Sequence, residues 1–202
     1  MTPVFIVQQT NIEAHDEVHN TLDNRWSEFF NNANICPICL PNQPDLVIKM
    51  LESNIARAAI LTGGGEFSHQ LSDKRSQVER LVMAWAENNN YPIIGVCRGM
   101  QSMMLYKDAL LSPCKGQVSQ QQQITFRNEL IEVNSFHNFE CINLSPEFEI
   151  IGTGHDGVIK AVIGKQLPWL AIMWHPERLV PQRSQDLQLF NHFLKQDNTC
   201  KD

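Results

Sequence analysis

The sequence predicts an α/β fold with a mostly parallel central sheet, to which antiparallel strands are added late in the chain. Three observations carry this. Short apolar runs alternate with amphipathic segments through the first half, the pattern of strands joined by crossover helices. Ile93-Ile94-Gly95-Val96 is continuously apolar, as a strand covered on both faces must be. From Ile124 to Ile163 the texture changes to short segments broken by Ser145-Pro146, Gly152-Thr153-Gly154 and Asp156-Gly157, which reads as hairpins.

Taken in order, Val4–Val7 is a strand. Val18, Leu22, Trp26, Phe29 and Phe30 then recur at helical spacing and predict a helix over roughly 16–31. Ile35–Leu40 is a second strand. Pro44 can open a helix, and Leu46, Val47, Met50, Leu51 and Ile55 give it an apolar stripe. Ala58–Thr62 is a third strand, ending on Gly63-Gly64-Gly65. Val78, Leu81, Val82 and Trp85 mark a helix that stops near Asn88-Asn89-Asn90 and Pro92. A helix-like stretch, Met100–Leu105, follows the Ile93–Val96 strand, and Gln120–Gln123 reads as an exposed loop. Leu170–Trp174 is a late strand, and Leu187, Phe190, Phe193 and Leu194 support a C-terminal helix.

With 202 residues the chain fits one domain over 1–202. Sixteen Lys plus Arg against 22 Asp plus Glu, net −6, with no dense basic block, argue against a nucleic-acid partner. No apolar run approaches the ~20 residues that span a bilayer, so no membrane partner is expected. The first residues lack a basic flank, a long apolar core and a small-residue cleavage site, which leads to the expectation of a cytoplasmic protein. In that compartment the six cysteines read as reduced thiols.

One of them stands out. Gly95-Val96-Cys97-Arg98-Gly99 places a nucleophile between small residues, after a buried strand and before a helix, the pattern of a nucleophile elbow with Cys for Ser. At a helix N-terminus Cys97 is favoured as thiolate. A second constellation, Trp174-His175-Pro176-Glu177, also follows an apolar strand. Pro176 keeps His175 extended, so Glu177 can hold one imidazole nitrogen while the other faces a nucleophile from elsewhere. In the third, Thr62-Gly63-Gly64-Gly65-Glu66, glycine amides can approach a reacting carbonyl and, with the N–H of Arg98, form an oxyanion hole. No third or fourth ligand accompanies His175 and Glu177, and no second pair completes Cys36-Pro37-Ile38-Cys39, so neither reads as a metal site. Arg75 and Glu79, four apart at a helix start, read as a modest surface ion pair.

Together these segments resemble class I glutamine amidotransferases. The resemblance rests on Gly-Val-Cys-Arg-Gly-Met-Gln at 95–101, Leu-Thr-Gly-Gly at 61–64, Val-Asn-Ser-Phe-His at 133–137, Asp-Gly-Val-Ile at 156–159 and Trp-His-Pro-Glu at 174–177, in that family's typical order. It implies a flavodoxin-like three-layer α/β/α sandwich, with Cys97 as nucleophile, His175 as base and Glu177 as orienter. It also implies a small-molecule γ-glutamyl substrate gripped by Gln101 and the backbone at Ser135 and Phe136, with Gly63, Arg98 and His137 lining the site. No cofactor or metal is required, and a homodimer is compatible with it. Arg98 after the nucleophile resembles the branch that hydrolyses γ-glutamyl amides, with its side chain either bearing on the leaving group or held in a structural salt bridge. Trp26-x-x-Phe29, Ser112-Pro113-Cys114-Lys115, Val133-Asn134-Ser135-Phe136-His137-Asn138-Phe139 and Met173-Trp174-His175-x-Glu177-Arg178 resemble the γ-glutamyl-CDP-amidate hydrolases of capsule phosphoramidate synthesis. γ-Glutamyl-aminobutyrate hydrolysis and ammonia supply to a separate synthase are the alternatives. The chain departs from the family pattern at Gln117, Gln120 and Gln123, where His is common, at Lys160, where Glu is usual, and at Ala58-Ala59, where Asp-Gly often stands.

Overall fold

The computed structural model describes residues 1–65 and 73–195, so Glu66 at the end of the glycine loop and Cys200 lie outside the described residues. In chain order the elements are β1 (Thr2–Val7), β2 (Gln9–Ile12), β3 (Val18–Thr21), α1 (Arg25–Asn32), β4 (Ile35–Leu40), α2 (Pro44–Glu52), β5 (Ala59–Leu61), α3 (Lys74–Asn89), β6 (Ile93–Val96) and α4 (Arg98–Tyr106). They continue with β7 (Leu110–Pro113), β8 (Val118–Phe126), β9 (Glu129–Phe136), β10 (Phe139–Ile142), β11 (Phe148–Gly154), β12 (Ile159–Gly164), β13 (Trp169–Ile172) and α5 (Ser184–Leu194).

Nine strands form the main sheet in the order β4-β1-β5-β6-β13-β12-β11-β8-β9. The first five run parallel, and their order is that of a flavodoxin-like sheet. The last four are joined antiparallel. This is the predicted α/β sheet with antiparallel strands added. Every residue of Val4–Val7, Ile93–Val96 and Trp169–Ile172 is buried, so both faces of those strands are covered. Helices α3 and α4 pack together over β1, β5 and β6, while α1 and α5 are joined through Phe29 and Phe190, whose rings meet edge to face at 4.9 Å.

The fold subdivides the predicted first helix. Only Arg25–Asn32 is α-helical, burying Trp26, Phe29 and Phe30 as the spacing required. Upstream, β2 and β3 pair as a hairpin with Ile12 opposite Val18, and Val18 is 66% exposed. β-Branched Thr10, Ile12, Val18 and Thr21 fit a pleated strand better than a helix. His15 and Asp16, both at positive φ, turn the chain between the two strands. Likewise Gln120–Gln123 is no loop but part of β8, in which Gln122 and Gln123 pair with Val133 and Glu132 of β9 and Gln120 and Gln121 fall in a register shift. Ile55 falls beyond α2 and is exposed.

Three adjacent strands decide where the site lies. β5 and β6 pair parallel with Leu61 opposite Gly95, and β6 and β13 pair parallel with Val96 opposite Ile172. Their C-terminal ends therefore open on one edge of the sheet. The segments that follow them begin with Thr62, Cys97 and Met173.

Candidate active site

Between the end of β6 at Val96 and the start of α4 at Arg98 the chain has a single residue in which to turn. Cys97 absorbs the turn at φ 51°, ψ −102°, a conformation that costs a non-glycine residue about 1–3 kcal/mol. The flanking glycines make this possible. A Cβ on Gly95 would come within 2.8 Å of the Gly99 carbonyl, and one on Gly99 within 2.8 Å of the Leu61 carbonyl carbon. The thiol is thus fixed at the N-terminal end of α4, 7% exposed, with its Sγ 3.8 Å from the Phe136 carbonyl oxygen.

His175 reaches the same point from β13. Its Nδ1 lies 2.8 Å from Glu177 Oε1, which leaves Nε2 as the ring nitrogen that Glu177 does not hold. His175 is extended (φ −105°, ψ 93°), but Glu177 gains its position because Pro176–Arg178 form a 3-10 turn rather than a continuing strand. Both side chains are buried. Burial alone would push the imidazolium down; the Cys97 charge, then the hydrogen bonds to Cys97 and Glu177, outweigh it and raise His175 to about 9. A second clamp comes from the Val-Asn-Ser-Phe-His segment, from a residue to which the sequence assigned no role. Asn134 on β9 accepts from the His175 N–H at 2.8 Å and donates to the His175 carbonyl at 2.8 Å.

The glycine loop completes the edge. Gly64 and Gly65 adopt φ of +81° and +79°, and a Cβ on Gly63 would come 2.5 Å from His175 Cε1, so no larger side chain fits beside the imidazole. Arg75 fixes the loop by donating to the carbonyls of Thr62 and Gly64, each at 2.6 Å. It is not the predicted surface residue. Arg75 and Glu79 are 2% and 1% exposed and 2.9 Å apart, because α3 lies over the sheet and turns this pair inward. Glu79 also receives Arg98 at 3.3 Å and Ser102 at 2.6 Å. Arg98 reaches Ser76 and Asp73 as well, so its side-chain charge serves this buried network, which a carboxylate as enclosed as Glu79 requires. Of the two roles expected for the Arg98 side chain, the structure contains the salt bridge, and Arg98 also lines the cavity beside Cys97.

The opposite wall is formed by the end of β9 and the residues after it, 136–139, and is backed by Lys160 on β12. Lys160, 1% exposed, donates to Gln117 Oε1 at 2.5 Å and Ser135 Oγ at 3.2 Å, and its Nζ lies 2.8 Å from His137 Nε2. Ser135 in turn donates to the Gln117 carbonyl, and Gln117 to Asp156. His137 Nδ1 is 2.9 Å from the Phe139 carbonyl, so Nδ1 carries the proton and Nε2 accepts from Lys160. Burial, then the Lys160 charge, pushes His137 down to about 4, and burial pushes Lys160 down to about 8 against the pull of Asp156. The departures at Gln117 and Lys160 thus lie in contact. Gln101 donates to the Phe139 carbonyl at 3.1 Å.

These walls enclose an open cavity of about 520 Å³ lined by Cys97, His175, Gly64, Gln101, Phe136 and His137 among others. Gly63 stands against His175 and Ser135 just behind the wall. Among the described residues no group of three or more His, Cys, Asp or Glu could hold a metal ion, and no helix is long and apolar enough to cross a membrane. Cys36 and Cys39 are exposed on β4, the outermost strand at one end of the sheet, and do not line this cavity.

A buried thiol on a strand-to-helix elbow, an imidazole held by a carboxylate and a glycine loop at the C-terminal edge of a parallel sheet define a class of protein equipped for acyl transfer from an amide. Residues 12–196 match the glutamine amidotransferase class-I family, and the chain belongs to that family of amide-bond hydrolases. It is 29% identical over 173 residues to γ-glutamyl-CDP-amidate hydrolase of Campylobacter jejuni subsp. jejuni serotype O:2, covering 82% of this chain and 84% of that one. Among solved structures it is similar to a candidate GMP synthase component of Thermoplasma acidophilum, with a TM-score of 0.72 at 21% identity over 96% of this chain and 92% of that one. A glutamine amidotransferase of Thermotoga maritima aligns with a TM-score of 0.66 at 13% identity over 96% and 84%.

Proposed function

We propose that this protein hydrolyses a γ-glutamyl amide by covalent catalysis at Cys97, with γ-glutamyl-CDP-amidate as its substrate. The observation that carries the reading is that the Cys97 thiol at its strand-to-helix elbow lines one cavity with an imidazole that Glu177 holds at 2.8 Å. The thiolate adds to the γ-carbonyl carbon, and the oxyanion is met by amides around Gly64 and Arg98. The C–N bond then breaks as His175 gives its proton to the departing nitrogen, leaving a γ-glutamyl thioester. A water gives a proton to His175, attacks the thioester and releases glutamate and the Cys97 thiolate. Glu177 keeps Nδ1 protonated throughout, which fixes Nε2 as the working nitrogen.

The glutamyl end is held by Gln101 and the backbone at Ser135 and Phe136. His137 acts as wall rather than base, because its Nε2 lone pair is occupied by Lys160. The diphosphate leaving group follows from the likeness to the Campylobacter hydrolase over most of both chains. Its product, a cytidine diphosphoramidate, is the activated form from which a capsule phosphoramidate would be made.

The test compares the purified protein on γ-glutamyl-CDP-amidate, γ-glutamyl-aminobutyrate and glutamine. The reading expects kcat/KM on the first to exceed the other two by about 100-fold, a difference of roughly 3 kcal/mol in transition-state binding. Comparable or better turnover of glutamine would replace it with a glutaminase that supplies ammonia to a synthase, and preference for γ-glutamyl-aminobutyrate with that hydrolase.

A further inference from the structure

We infer that Arg178 is the specificity-determining residue that binds the anionic part of the leaving group; as a statement about a diphosphate-bearing substrate it rests on the reading above. Arg178 follows the His175 and Glu177 pair and lines the same cavity as Cys97. Its guanidinium sits over the ring of Phe136, 5.3 Å from the centroid, with the side chain 25% exposed. The Phe136 ring meets the His175 imidazole edge to face at 6.0 Å. Arg178 is therefore beside the reacting groups and open to solvent at once.

Its guanidinium donors are available because its contacts with the neighbouring acids are long and made to oxygens that other cations or donors already hold. Glu177 Oε1 is 3.4 Å from Arg178 Nε, but that oxygen already pairs with His175 at 2.8 Å. Asp23 Oδ2 is 3.9 Å away and is held by Arg25 at 2.6 Å. The buried Nε atom makes no hydrogen bond among the described residues. The other arginine that lines the cavity, Arg98, is committed to Glu79. Arg178 thus makes only long contacts with two acids whose contacting oxygens are already held at shorter distance by His175 and Arg25.

Chemistry needs such a group here. A diphosphate brought next to the Cys97 thiolate and the Glu177 carboxylate is repelled by both, and the chain as a whole carries a net charge of −6. A planar guanidinium, held flat on an aromatic ring, can donate two parallel N–H bonds to phosphate oxygens. Neutral leaving groups, such as the ammonia of glutamine, would make no such contact. Arg178 would then raise the rate for the anionic substrate selectively.

The experiment uses Arg178→Gln and Arg178→Lys in the full chain. Binding of CDP and of inorganic pyrophosphate is measured by calorimetry, and kcat/KM is measured on γ-glutamyl-CDP-amidate and on glutamine. We expect CDP and pyrophosphate to bind wild type and to bind Arg178→Gln about tenfold or more weakly, with Arg178→Lys between them. The ratio of kcat/KM for the diphosphate substrate over glutamine should fall by at least about tenfold in Arg178→Gln. Wild type that binds neither anion, equal binding by wild type and Arg178→Gln, or a parallel loss on both substrates would overturn the inference, the last by assigning Arg178 to support of Glu177. If wild type fails to hydrolyse γ-glutamyl-CDP-amidate while anion binding still depends on Arg178, the substrate reading fails and the anion site stands.

Discussion

The side-chain amide of Asn134 brackets the backbone of His175, accepting from its N–H and donating to its carbonyl at 2.8 Å each. An asparagine on an antiparallel strand thereby fixes the height and rotation of the imidazole on a parallel one. Asn134→Leu leaves two buried backbone groups unpaired. It should lower stability by about 2–4 kcal/mol in urea denaturation and reduce kcat more than it changes KM; an unchanged kcat would show that Glu177 alone orients His175.

Cys97→Ala removes the nucleophile and the partner that raises His175. Activity should fall by at least about 10³-fold, and the His175 NMR titration should drop from about 9 toward lower pH. The sign on stability follows. A folded value of about 9, above the ordinary 6.5, stabilises fully below pH 6.5 and is lost as pH rises through 9. Denaturation at pH 6 and pH 9.5 should therefore show a decline in wild type that is reduced in Cys97→Ala.

Arg75→Met tests whether the inward pair holds the glycine loop. It frees the carbonyls of Thr62 and Gly64 and leaves Glu79 short of a cation. The expected loss is about 3–5 kcal/mol, against about 0.3–0.5 kcal/mol for the surface pair the spacing alone predicted. Thermal denaturation distinguishes the two.

Gly99→Ala introduces a methyl group against the Leu61 carbonyl at the first turn of α4. Overpacking of this kind costs about 1–3 kcal/mol, despite the higher helix propensity of alanine. Moving α4 also moves Cys97 relative to His175, so kcat should fall with stability. A variant with higher thermal stability and full activity would contradict the packing described.

Lys160→Met removes the cation that fills His137 Nε2. The His137 titration should rise from about 4 toward the ordinary range near 6.5, as read by NMR. In wild type the unfolded chain binds more protons between those two values, so this group's contribution to stability is lost as pH falls from 6.5 to 4. That contribution should shrink in the variant, together with an overall loss from the unpaired Gln117 and Ser135.

The three chemical segments are legible in the sequence because each is local. Gly95 to Gly99 writes its own elbow, since a one-residue strand-to-helix turn needs small neighbours whatever the rest of the fold. His175-Pro176-Glu177 writes its own pairing, although through a 3-10 turn rather than a fully extended chain. The helix over 16–31 fails because Val18 and Leu22 fit helical spacing by coincidence, while pairing between β2 and β3 is a contact that no periodicity records. Arg75, Asn134 and Lys160 escape sequence reasoning, or are misplaced by it, for one reason. Each acts through partners at least eleven residues away, apart from the Arg75–Glu79 contact itself, and only burial turns such a residue from a solvated charge into a fixed donor.

The sequence by itself determined the five parallel strands, the strand-to-helix elbow at Cys97 and the residue types set around it, because apolar periodicity and short motifs depend on near neighbours. The tertiary structure decided that Gly63, Cys97 and His175 meet, that Glu79 ties Arg75 to Arg98, and that Arg178 lines the same cavity. Those relationships arise from β5, β6 and β13 lying side by side and parallel, a pairing between segments separated by tens of residues whose energy is realised only when the sheet is assembled.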